Sequence, residues 1–119
     1  MPSTQAETRP AASRTVRSND GTTISYWTVG EGPAVIVVPG AMSTAADYAA
    51  FADALGESFT VHTIERRGRG LSGSQGDHYG IGKECEDVAA LRDQTGARYL
   101  VGHSYGGLVA LEAHATTRR

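Results

Sequence analysis

Apolar and polar positions along the chain follow two rhythms separated by turn residues. Thr15 to Ser18 and Thr22 to Val29 are β-prone runs on either side of Asn19-Asp20-Gly21. Turn residues between two such runs predict a β-hairpin. In the second run Ile24 and Tyr26 share one face and Trp27 takes the other, since successive strand side chains alternate. Gly30-Glu31-Gly32-Pro33 ends the pattern. Ala34 to Val38 is then aliphatic throughout and bounded by Pro33 and Pro39-Gly40. A short run without alternation predicts a strand covered on both faces, as in a parallel sheet. Thr44 and Asp47 have nearly the spacing of a capping box. After them Tyr48, Phe51, Ala52 and Leu55 recur at i, i+3, i+4 and i+7, predicting a helix with one apolar face and a stop at Gly56. Phe59 to Ile64 reads as a second core strand. Ile81, Cys85, Val88 and Ala89 form the apolar face of a second helix that ends at Gly96. Ala97 to Val101 is a third core strand, and Gly107 to Ala115 is apolar enough for a buried helix.

The predicted fold class is therefore α/β: an N-terminal β-hairpin followed by β-α-β-α-β-α, a parallel three-layer sandwich. Residues Met1 to Arg14 are Ser, Thr, Gln, Ala, Pro and charge, with nothing to bury, and read as a flexible leader. One domain of residues 15–119 remains, within the usual size of a single core. Eleven Lys and Arg against 13 Asp and Glu leave a net charge of −2. That balance provides no basic field for nucleic acid or an anionic membrane. A single cysteine, Cys85, excludes an internal disulfide and fits a reducing, cytoplasmic compartment. It sits on an apolar helix face and reads as core. No aliphatic run approaches the roughly 20 residues of a membrane span, and the first residues lack a secretory apolar segment.

The chemistry concentrates in Gly102-His103-Ser104-Tyr105-Gly106, a G-x-S-x-G pentapeptide between a buried strand and a helix. That setting is the one a nucleophile elbow requires. The chain must reverse sharply at Ser104 and take a strained backbone conformation to raise the hydroxyl out of the sheet. Side chains at Gly102 and Gly106 would collide with each other and with the neighbouring strand; Gly107 is expected to relieve further contact. Ser104 then lies at the carboxyl edge of the sheet, where open α/β folds bind ligands. The Tyr105 N–H, at a helix start, is placed for a developing oxyanion. The N–H of Ala41, in the loop after the first aliphatic strand, is the candidate second donor, with Met42 as the lesser alternative.

These motifs together resemble the α/β-hydrolase fold family over about Arg14 to Ala115. Gly102-His103-Ser104-Tyr105-Gly106-Gly107 is similar to its GHSxGG elbow. Val37-Val38-Pro39-Gly40 resembles its oxyanion loop, with Pro39 where the family usually has His. Glu65-Arg66-Arg67-Gly68-Arg69-Gly70-Leu71-Ser72 resembles its D-x-R-G-x-G-x-S turn, with Glu for Asp, and Glu86 to Leu91 resembles the helix before the elbow. The resemblance implies hydrolysis of an ester, amide, thioester or related bond in a small-molecule substrate. It implies an acyl-Ser104 intermediate and no cofactor or metal.

In that family the acid and the His follow the serine in sequence. Here the later candidates are Glu112 and His114, on the helix that opens at the elbow. They lie about 12 and 15 Å along its axis, at about 1.5 Å per residue, whereas a base must come within about 3.2 Å of the hydroxyl. His103 is expected to project away from Ser104 as a supporting or packing residue. His62 and His78 precede the elbow and have no counterpart as base. The expectation is an incomplete α/β-hydrolase fold, truncated before the triad acid and His, with Ala97 to Val101 left as an open sheet edge. The alternative is a non-catalytic half-fold or gene remnant that self-associates through edge strand 97–101.

Two further patterns carry less. Gly68-Arg69-Gly70-Leu71-Ser72-Gly73 is formally G-x-G-x-x-G, but Glu65-Arg66-Arg67 separate it from the strand and Ser74 to Asp77 continue the loop. A dinucleotide site needs those glycines at the strand end with a helix opening on them. Arg66, Arg67 and Arg69 read as a solvated loop or as buried arginine–carboxylate bracing rather than a phosphate site.

Overall fold

The computed structural model describes residues 12–40, 42–68, 72–73 and 80–117, without the side chains of 116 and 117. Five strands form one mixed sheet in the order β1-β2-β4-β3-β5: β1 Ala12–Arg17, β2 Thr23–Val29, β3 Ala34–Val38, β4 Thr60–Ile64 and β5 Tyr99–Gly102. Strands β3, β4 and β5 are parallel, while β1 and β2 join antiparallel and β2 runs antiparallel to β4. A 3₁₀ turn, Ala45–Tyr48, leads into α1, Ala49–Leu55; α2 is Ile81–Thr95 and α3 is Tyr105–Thr117. Val35, Val37, Ala52 and Val61 pack together on one side of the sheet, beneath α1. On the other side Ile24, Tyr26, Ile36, Val38 and Ile64 pack with Cys85, Val88 and Leu91 of α2 and Val109 and Ala113 of α3. This is the expected three-layer α/β arrangement. Strand β3 lies between β4 and β5 and is covered from both layers, which accounts for its unbroken aliphatic sequence.

The elements end where the local chemistry dictates. Asp47 accepts a hydrogen bond from the Thr44 N–H at 2.9 Å. Gly96 closes α2 in the left-handed region, φ +73°, with its N–H on the Arg92 carbonyl. Cys85 is buried among apolar side chains, and burial pushes its thiol up to about 11, leaving it a core residue rather than a reactive one.

Several boundaries and faces differ from the sequence reading. Strand β1 begins at Ala12, paired with Thr28, so 12–14 belong to the hairpin; 1–11 lie outside the described residues. The polar side chains of β1 give no burial signal, and backbone pairing alone makes the strand. The stretch Ala45–Tyr48 is 3₁₀ rather than α-helical, and Phe51 is exposed. The third parallel strand begins at Tyr99 rather than Ala97 and pairs with β3 at the sheet edge; the open edge is as expected, while the reading of this segment as a core strand is not borne out. For the same reason α3 is only half buried: Val109, Ala110 and Ala113 face the sheet, while Leu108 and Leu111 are 57% and 71% exposed beyond the edge. Among the described residues no helix is long and apolar enough to cross a membrane.

Two buried arginines lock the segment after β4 to its surroundings. Arg67 makes a two-pronged pair with Asp87 of α2, at 2.8 and 2.6 Å, and also reaches Asp20 in the hairpin turn at 2.9 Å. The Arg67 guanidinium holds the Asp20 carboxyl well below the usual carboxylate range, helped by hydrogen bonds from Thr22, and Asp87 raises Arg67 in turn. Ser18 adds a hydrogen bond to Asp87 at 2.6 Å. Glu65 accepts from the Ser25 hydroxyl on β2 and, through its backbone carbonyl, from Ser72. Arginine–carboxylate bracing is thus observed for Arg67, and also for Arg66, which pairs with Glu84 of α2, while Arg69 lies outside the described residues. Helix α2 opens only at Ile81, well past the glycines of the formal G-x-G-x-x-G.

His62 on β4 is buried, bonded to the Thr28 hydroxyl through Nδ1 at 2.9 Å and edge-on to Tyr26. Burial, with the Arg14 charge nearby, lowers its pKa below the ordinary value of 6.5. The unfolded chain therefore takes up this proton first as pH falls. Stability should be full above about pH 6.5 and decline as pH drops below it toward the folded-state pKa. Denaturant melts from pH 7.5 to 5 should show that decline, and a His62→Gln variant should flatten it.

Candidate functional site

The last turn of β5 and the first turn of α3 meet at Ser104, whose φ is +58°, the one left-handed non-glycine among the described residues. For a residue with a side chain that conformation is strained. Neighbouring hydrogen bonds hold it: His103 N–H donates to Val38 O at 3.2 Å, Gly106 N–H to His103 O and Gly107 N–H to Ser104 O, both at 2.9 Å. The flanking glycines are required by contact. A Cβ on Gly102 would overlap the Gly106 carbonyl and stand 2.6 Å from Gly107 Cα. A Cβ on Gly106 would overlap the Val38 carbonyl and stand 2.6 Å from the Pro39 carbonyl oxygen. Gly107 differs from expectation: a Cβ there would meet only ordinary contact, 3.6 Å from the Gly102 carbonyl oxygen.

The loop after β3 runs beside this reversal. A Cβ on Gly40 would lie 3.3 Å from Ser104 Cβ and 3.2 Å from the His103 carbonyl oxygen, so the loop backbone passes against the elbow. Gly40 is held from two directions. Its N–H donates to the Tyr48 hydroxyl at 3.1 Å, and its carbonyl accepts from Arg66 Nη1 at 3.1 Å. The Tyr48 oxygen lies 2.8 Å from His103 Nδ1, with the two rings edge to face. His103 is thus engaged with Tyr48. Arg66 is only 4% exposed and grips Glu84 of α2 with Nε and Nη2, at 2.6 and 2.7 Å. Its guanidinium also stands 4.6 Å over the Tyr105 ring.

Of the candidates read from sequence, Ser104 and Tyr105 stand adjacent at the mouth of α3. Ala41 lies outside the described residues, although its neighbour Gly40 lies against Ser104. Met42 is 96% exposed. His114 and Ser104 both line an open groove of about 730 Å³ between β5 and α3, with Leu100, Leu108 and Leu111 among its walls. The Ser104 hydroxyl makes no hydrogen bond among the described residues, and no group of three His, Cys, Asp or Glu side chains there could hold a metal ion. Sequence reasoning missed Tyr48, Glu84 and the specific role of Arg66. Glu84, at i+3 from Ile81 and i−4 from Val88 on the apolar face of α2, was the available signal for the Arg66–Glu84 pair.

Residues 35–119 match the model of the "Alpha/beta hydrolase family". N-formylmaleamate deformylase of Pseudomonas putida is 38% identical over 89 residues, which cover 72% of this chain and 33% of that protein. An alpha/beta hydrolase from Sphaerobacter thermophilus superposes with TM-score 0.82 at 43% identity, over 87% of this chain and 40% of that one. An epoxide hydrolase from Vigna radiata gives 0.83 at 25% identity, over 91% and 36%. The chain spans about a third of the length of that curated relative, the deformylase.

The steric asymmetry between the two neighbouring glycines is directly testable. Gly106→Ala should destabilise by at least about 3 kcal/mol or prevent folding, because backbone rather than a pliable side chain blocks the new methyl. Gly107→Ala should be neutral or stabilising by up to about 1 kcal/mol, the helix propensity gain of alanine over glycine. Thermal or denaturant unfolding of the two variants provides the comparison.

Proposed function

The chain belongs to the alpha/beta hydrolase family, and from that premise we propose that it carries the nucleophile half of a serine hydrolase acting on an ester- or amide-type bond. The observation that supports this most is the left-handed Ser104 between two obligatory glycines, at the carboxyl end of a parallel strand and against the Gly40 loop. In this reading the Ser104 oxygen attacks the acyl carbon and a base takes its proton. The carbonyl oxygen becomes an oxyanion held by the N–H groups of Ala41 and Tyr105. Collapse expels the alcohol or amine with a proton and leaves acyl-Ser104, which water then hydrolyses. Two oriented donors are worth much of the rate, since losing one typically costs about 3–4 kcal/mol in the transition state. The base and its acid partner belong to polypeptide following Arg119 in this proposal, consistent with the short share of its relatives that the chain spans. The deformylase relative favours an amide among the acyl bonds. A serine at this position also suits acyl transfer.

The test is labelling of the full encoded polypeptide with a fluorophosphonate probe, followed by peptide mass spectrometry. The adduct should fall on Ser104 and vanish in Ser104→Ala. Absence of an adduct, or an adduct that survives that substitution, would overturn the reading. The coding sequence after Arg119 should also supply an Asp and a His within about 100–150 residues.

A second reading is favoured by one observation. Strand β5 pairs with β3 alone among the described residues, and Tyr99, Val101, Leu108 and Leu111 stand exposed along that side. We propose that the 119-residue chain by itself associates with a second copy through this edge, because unpaired strand N–H and C=O groups template further pairing. Light scattering of the isolated chain should show dimers or larger species; a monodisperse monomer with a cooperative melt counts against it.

A further inference from the structure

We propose that Arg66, assisted by Tyr48, is a positioning residue for the nucleophile site, holding the Gly40 backbone against Ser104 through one guanidinium. The inference rests on the reading of Ser104 as nucleophile. A cation as buried as Arg66 persists only when its donors are satisfied. Glu84 takes Nε and Nη2 together, and that two-pronged pairing fixes the plane of the guanidinium as well as its place. The direction of Nη1 is then fixed too, and Nη1 donates to the Gly40 carbonyl. A peptide is planar, so its carbonyl cannot turn away without turning the whole unit, and this hydrogen bond holds the carbonyl side of Gly40 in place. The preceding peptide is held as well, since its N–H, that of Gly40, is bonded to Tyr48. Gly40 is thus secured through both its N–H and its carbonyl, directly against Ser104. The same guanidinium lies over the ring of Tyr105, the residue after Ser104. Arg66 therefore couples the Gly40 loop and the start of α3 to α2. Lysine could place one positive charge there, but a single ammonium cannot grip Glu84 with two prongs while reaching Gly40 in the same plane.

The experiment measures fluorophosphonate inactivation of the full encoded polypeptide across probe concentration, with a thermal midpoint for each variant. Arg66→Met should lower the maximal inactivation rate by about tenfold to a hundredfold, somewhat less than the loss of a donor itself. The half-saturating probe concentration should stay near that of the parent. Arg66→Lys should recover part of the rate. Val16→Ala, on strand β1, which β2 and β4 separate from β3, should lower the thermal midpoint while keeping the rate. Should Arg66→Met fail to fold, Tyr48→Phe opens the other end of Gly40 and is expected to lower the maximal rate in the same way. Ser104 labelled at the parental rate in Arg66→Met, or in Tyr48→Phe where that carries the test, would overturn this proposal and leave the Ser104 reading intact. So would rates that simply follow the thermal midpoint in Val16→Ala as in the Arg66 variants. A parent that gains no adduct on Ser104 would instead remove the underlying reading, and this one with it.

Discussion

The close approach of three backbone segments, the end of β3, the end of β5 and the first turn of α3, is the constraint on which the rest of the structure depends. Gly106 lets α3 start against the carbonyls of Val38 and Pro39, and Gly102 lets the strand end fold under that same turn. With no side chains between them, the strand-to-helix reversal is completed within Gly102 to Tyr105, and Ser104 absorbs the strain at φ +58°. The sheet, the helices and the loop after β3 are arranged around that contact.

Charge organises the layer above it. Arg66 and Arg67 are consecutive, both buried, and project to different partners: Glu84 and the Gly40 carbonyl for the first, Asp87 and Asp20 for the second. Glu84 and Asp87 are three residues apart on α2 and so share a helix face. One face of α2 therefore receives both guanidinium groups, one tied to the candidate site and the other to the hairpin turn. Buried pairs of this kind add little net stability over apolar packing, but a missing partner is costly. They fix where the loops lie more than how strongly the domain holds together.

Much of this was legible in the chain. The aliphatic run of β3, the glycine punctuation and the strand-to-helix setting of the elbow each have one physical reading, and the structure bears out the fold they imply. The faces of α1 and α3 were less legible. Phe51, Leu108 and Leu111 have helical apolar spacing, yet they face outward. Periodicity reports which residues share a side of a helix, not whether anything lies against that side. Gly107 likewise sits in a glycine-rich motif without the steric need of its neighbours, which only measured distances reveal.

By itself the sequence determined the order of elements, the parallel core, and the reversal at Ser104, because these follow from side-chain period and from where a Cβ is tolerated. Tertiary structure decided which charges are buried together and that Tyr48 and Arg66 hold Gly40 from opposite ends. Those outcomes depend on contacts between residues 8 to 55 positions apart. No local pattern encodes the direction in which a long arginine side chain or a loop carbonyl will point until the layers have packed.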